Sequence, residues 1–90
     1  MMKERIQALL DGNRADEAID LVEKFRAEGG AMDDTLFYLL GNAHRKKGNW
    51  QMAINNYLEA VHLNPDSPAA RALEIANDIL DFYNKDMYNQ

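Results

Sequence analysis

The sequence predicts an all-α protein of five antiparallel helices stacked in pairs. Three observations carry that prediction. Apolar residues recur at helical spacing along the chain, and period-two alternation never persists long enough for a strand. Helix-stopping groups punctuate the chain at Gly12-Asn13, Gly29-Gly30, Gly48-Asn49 and Asn64-Pro65. The chain also repeats itself: Met2, Ile6, Leu9, Ala18, Ile19, Val22 and Phe25 are answered at an offset of 35 by Phe37, Gly41, His44, Ala53, Ile54, Tyr57 and Ala60. A period in this range is the mark of stacked helical units.

The first helix runs from about Lys3 to Leu10 and turns through Asp11-Gly12-Asn13. Asn13 is read as the N-cap of the second helix, with Asp16 placed at the positive end of its dipole. That helix covers Ala15 to Ala27 and stops at Gly29-Gly30. Asp33 or Asp34 caps the third, which continues to about Lys47 and ends on the cations Arg45, Lys46 and Lys47. Asn49 caps the fourth, from Trp50 to Leu63. Ser67 caps the fifth, with Pro68 in the first turn, where a missing N–H costs nothing. This helix is expected to end near Tyr83, with Leu73, Ala76, Ile79, Leu80 and Tyr83 inward, covering the open face of the stack as a cap.

Between Asp34 and Ser67, Gly41 and Ala53 are small where two antiparallel helices must approach. Phe37 and Tyr57 fill the space beside them, and Gly48 turns the chain. Phe37, Leu40, Gly41, Gly48, Ala53, Tyr57, Ala60 and Pro65 take positions 4, 7, 8, 15, 20, 24, 27 and 32 of a 34-residue unit. This pattern resembles the tetratricopeptide repeat (TPR) family. His44 departs from it at position 11, where the family usually carries an aromatic. The run Asn13-Arg14-Ala15-Asp16-Glu17-Ala18 is similar to the family's turn between helices. The resemblance implies a right-handed superhelix and a single domain over residues 1–90. Its parts are a truncated first repeat at 2–33, a complete repeat at 34–67, a C-terminal capping helix at 68–84 and a tail at 85–90. Phe25 stands where the family places a small residue, so the first helix pair is expected to pack less regularly.

Composition limits the functional classes. Hydrophobic residues at 47% and charged residues at 28% describe a folded globular chain rather than a disordered one. No apolar run is long enough to span a bilayer. Charge enters at Lys3, Glu4 and Arg5, with no apolar signal core, so a cytoplasmic location is expected. A net charge of −5 argues against nucleic acid and anionic membrane as partners. The absence of cysteine removes disulfides, thiol nucleophiles and cysteine-held metal.

Catalysis is not expected. Thr35 and Ser67 are explained by helix starts, and His44 and His62 have no carboxylate at ligand spacing. Gly29-Gly30 lacks the Lys-Ser/Thr of a phosphate loop. No enzyme, cofactor or metal follows from these residues. Phe37, Trp50 and Tyr57 resemble the family's packing aromatics.

The resemblance implies a concave face built from the first helix of each repeat, which takes a peptide or a partner helix. Carried over by position, that face holds Thr35, Tyr38, Asn42, Arg45 and Lys46 in the complete repeat, and Lys3, Gln7, Leu10 and Asp11 in the partial one. An amide for a peptide backbone, with Arg45, Lys46 and Lys3 for carboxylates, suits an acidic or C-terminal segment of a protein partner. The dicarboxylate clamp known in the family needs further cations on the next first helix. This chain offers only Arg71 there, followed by Glu74, Asp78 and Asp81, so chaperone tails are not the expected ligand. The alternative is a structural, self-associating protein, a homodimer formed through the C-terminal edge of Phe82, Tyr83, Met87 and Tyr88.

Overall fold

The structure is a computed structural model that describes residues 1–88, with side chains described through Phe82. Five helices and no strand occur among the described residues: α1 Met2–Asp11, α2 Ala15–Ala27, α3 Asp34–Lys46, α4 Trp50–Leu63 and α5 Ala69–Tyr88. None of these helices is long and apolar enough to cross a membrane. α3 is the hub, packing on α1, α2 and α4, while α5 packs on α4.

The core divides on the two sides of α3. Leu36, Leu39, Leu40 and Ala43 face Ile6 and Leu10 of α1 and Ala18 and Val22 of α2. Phe37 turns the other way, toward Ala53, Ile54, Tyr57 and Ala60 of α4 and Ala69 and Ala76 of α5. Met32 and Tyr38 pack against both groups and join them. Ile6, Val22 and Tyr57 have no exposed surface, and burial of each such side chain contributes about 1.5–3 kcal/mol.

Three of the interhelix turns share one construction. Asn13, Gly29 and Gly48 adopt left-handed φ values of 61°, 89° and 79°. The N–H of the next residue reaches back to a carbonyl of the finished helix: Arg14 to Leu9, Gly30 to Phe25 and Asn49 to His44, at 2.8, 2.9 and 2.9 Å. This is the Schellman closure, which satisfies carbonyls the helix end would leave orphaned. It corrects the expected role of Asn13. Rather than capping α2, Asn13 closes α1, because asparagine tolerates the left-handed region. Arg14 then occupies the N-cap without a side-chain hydrogen bond.

The other caps follow expectation. Asp33 accepts from Leu36 N at 2.8 Å, Asn49 from Met52 N at 3.5 Å, and the buried Ser67 Oγ from Ala69 N at 3.1 Å. Asn64, extended before Pro65, donates to Asp34 Oδ2 at 3.0 Å and so ties the end of α4 to the start of α3.

Two packing details sharpen the sequence reading. At the α3–α4 seam Gly41 meets the Tyr57 ring. A β-carbon at Gly41 would stand 2.5 Å from Tyr57 Cε1, so the ring lies flat on the bare backbone. Phe25, too large for the position it holds, lies against the backbone of Gly30 and the edge of the α1–α3 core. α5 is also longer than expected, running to Tyr88 rather than ending near residues 83 or 84. Residues 89 and 90 of the expected tail lie outside the described residues.

Candidate functional site

The face in question is built by α1, α3 and the segment that opens α5. Along α3, Tyr38, Asn42 and Arg45 lie at i, i+4 and i+7, one side of a helix. Phe37, Leu40, Gly41 and Ala43 are buried on the other faces, so packing fixes which residues remain outside. On α1, Ile6 and Leu10 anchor the inner face and leave Lys3 and Gln7 outward. Leu10, expected on the binding face, is 1% exposed and belongs to the core.

Lys3, Gln7, Thr35 and Tyr38 come together around one shallow cavity of about 350 Å³, whose remaining walls are Glu4, Leu39, Ser67 and Pro68. Ser67 and Pro68 went unrecognised as wall residues because helix-start chemistry already accounts for both. The signal that places them is the stacking order, in which the start of a following first helix falls beside Thr35.

Hydrogen bonds have already committed two of the polar groups. Lys3 Nζ bonds Asp33 Oδ2 at 2.6 Å, and Gln7 Nε2 donates to Asp11 Oδ1 at 2.9 Å. The Asp33 hydrogen bond holds Lys3 above its ordinary value, against a smaller opposing effect of desolvation. Burial pushes Asp33 upward, but bonds from Lys3 and Leu36 N outweigh it and leave the carboxyl below its usual range. Lys3 therefore clamps α1 to the start of α3 and is not a free cation for a ligand.

Further along α3, the Tyr57 hydroxyl emerges beside Gly41 and donates to Asn42 Oδ1 at 2.6 Å. Tyr38 packs over the same phenol, ring centroids 6.1 Å apart and inclined at 40°. Burial raises the Tyr57 pKa, while the neighbouring Arg45 guanidinium pulls it down. Because Oδ1 is the acceptor, the Asn42 amide is oriented with its NH₂ group directed elsewhere, and that group has no partner among the described residues. Arg45 is exposed and has no ion pair among the described residues.

Lys46 lies apart from this cavity. It lines a separate depression with Asn13, Arg14, Asp16, Glu17 and Lys47, where Lys47 pairs with Asp16 and links α3 to α2. His44 faces inward from the last turn of α3. Its Nδ1 is buried without a hydrogen-bond partner, and burial, with the Lys47 charge, lowers its pKa. At the other end of the molecule Phe82 is 73% exposed, whereas the side chains of Tyr83, Met87 and Tyr88 lie outside the described residues.

Comparison with known proteins follows the same architecture. The family model for the TPR repeat matches residues 41–73, from the middle of α3 through α4 into α5. The Bacteroides fragilis protein BF1650, whose structure was solved by solution NMR, is 46% identical to this chain and superposes with a TM-score of 0.82. The alignment covers 98% of this chain and 89% of that one. No curated protein matches.

Proposed function

The chain belongs to the tetratricopeptide-repeat family, and from that premise we propose that it is a non-catalytic protein-interaction module holding a peptide or partner helix across α1, α3 and the start of α5. The supporting observation is the convergence of Lys3, Gln7, Thr35 and Tyr38 on one largely apolar cavity, with the Asn42 amide next along α3. In this reading Tyr38 and Leu39 supply apolar contact, Asn42 donates to a ligand backbone carbonyl, and Arg45 pairs with an acidic side chain or C-terminal carboxylate. Lys3 acts through Asp33 to set the spacing between α1 and α3.

The ligand is accordingly an apolar-centred segment with an acidic end, rather than a uniformly acidic one. With one complete repeat the cavity is short, and affinity for an isolated peptide is expected to be weak. The test selects binding peptides on the full chain from a displayed library, then follows amide shifts by NMR during titration. Shifts at Gln7, Thr35, Tyr38 and Asn42, lost in Thr35→Arg, support the site. Shifts confined to α2 or to the C-terminal half of α5 reject it.

A further inference from the structure

The two ends of the helical stack carry clefts whose unpaired charges sum to opposite signs. Between α4 and α5 lies a cleft of about 410 Å³ lined by Trp50, Ile75, Asp78, Ile79 and Phe82. Ile75 on its wall is 44% exposed. At the far end α1 and α2 alone frame a cleft of about 390 Å³, with Leu9 and Leu21 as its apolar part. Arg14 there pairs with Glu17, and on α5 Arg71 pairs with Glu74. Without an ion pair among the described residues are Arg5, Lys24 and Asp20 at the first end, and Asp78 and Asp81 at the second. Asp20 on the first rim offsets part of the positive charge.

In a repeat stack each helix pair buries its apolar edge on the next pair. The α4–α5 cleft is open among the described residues and lies where a following unit would pack. A two-fold contact of α5 with itself would bring Asp78 and Asp81 against their own copies, an arrangement like charges disfavour. The α1–α2 cleft carries a small excess of positive charge around the apolar pair Leu9 and Leu21.

We propose that the chain self-associates head to tail, the α1–α2 end of one copy seated on the α4–α5 cleft of the next. Arg5 and Lys24 of one copy face Asp78 and Asp81 of its neighbour. The contact is heterologous, so association continues beyond a dimer as concentration rises.

Sedimentation velocity on the full chain over a wide concentration range tests this, with circular dichroism confirming that each variant remains helical. The wild type should show a weight-average mass that climbs with concentration. Arg5→Glu/Lys24→Glu and Asp78→Lys/Asp81→Lys should each weaken association about tenfold or more, since each sets like charges across the contact. The quadruple variant, with both ends reversed, should regain it. Ile75→Asn, which leaves every charge in place, should weaken association as well. A wild type that stays at 10.3 kDa throughout overturns the proposal. So does a quadruple variant that remains monomeric, or an Arg5→Glu/Lys24→Glu variant that associates like the wild type, which would instead indicate a contact of α5 with itself.

Discussion

The hydroxyl of Tyr57, on a side chain with no exposed surface, donates at 2.6 Å to the side-chain oxygen of Asn42 on the candidate binding face. One bond thus couples the α3–α4 core to the amide that meets a ligand backbone in the proposed binding mode. The packing that stabilises the helix pair also sets which end of the Asn42 amide is presented. Asn42→Ala is for that reason a poor probe of binding, because it strips a buried phenol of its acceptor.

Tyr57→Phe separates the two roles. The ring and its contact with Gly41 survive, while the Asn42 oxygen loses its donor. A loss of about 0.5–1.5 kcal/mol in denaturant unfolding is expected. Affinity for a selected peptide should fall further than this small loss of folded protein explains, because the amide is then free to turn over. Unchanged affinity in Tyr57→Phe would remove Asn42 orientation from the binding scheme.

Gly41→Ala tests the closeness of the seam. Helix propensity alone favours alanine by about 0.5–1 kcal/mol. Against this, the new methyl meets Tyr57 ring carbons at 2.5 and 2.6 Å, and the ring is enclosed and cannot swing aside. Overpacking of this kind costs about 1–3 kcal/mol, so the variant should be destabilised despite its better propensity. A calorimetric Tm equal to or above that of the wild type would show that α3 and α4 separate more readily than this contact allows.

Much of this architecture was legible in the sequence because the deciding interactions are local. α2 and α4 begin and end where Gly29, Asn49 and Asn64-Pro65 direct, since turn chemistry depends on neighbours in the chain. Asn13 misled for the same reason: asparagine serves equally as an N-cap and as a left-handed helix closure, and only the Arg14-to-Leu9 bond distinguishes them. Lys3, Gln7, Thr35 and Tyr38 share a face because helical spacing places them there. Their working state was not legible. The Lys3–Asp33 and Tyr57–Asn42 bonds join residues far apart in sequence, and nothing in spacing reveals that a cation is already paired or an amide already oriented.

Asp33 combines two duties that substitution can divide. Its carboxylate caps α3 through Leu36 N and pairs with Lys3. Asp33→Ala should cost about 1 kcal/mol, within the usual range for a lost N-cap. Lys3→Ala should cost well under that, since both partners are nearly half exposed. The Asp33 pKa is lowered in the folded state, so the unfolded chain binds the proton more readily. Its stabilising contribution is complete above the ordinary value near 3.8 and is lost as pH falls through the depressed folded value. Asp33→Asn keeps a capping oxygen but has no such titration. Thermal melts of the two proteins should therefore diverge above pH 4 and converge in stronger acid.

His44 gives the opposite kind of group, a base held neutral. Burial and the Lys47 charge lower its pKa from an ordinary value near 6.5, with Glu23 opposing weakly. Between the lowered folded value and 6.5 the unfolded chain carries a proton that the folded chain does not, so stability rises with pH across that window. Acidification below 6.5 should destabilise the wild type until the folded histidine itself titrates. His44→Phe restores the aromatic usual at this position in the family and removes a buried nitrogen that has no partner. The variant should gain about 1 kcal/mol at neutral pH and lose most of the slope below pH 6.5. Denaturant unfolding across that range decides the matter: an identical slope in the two proteins would assign the pH dependence to other groups.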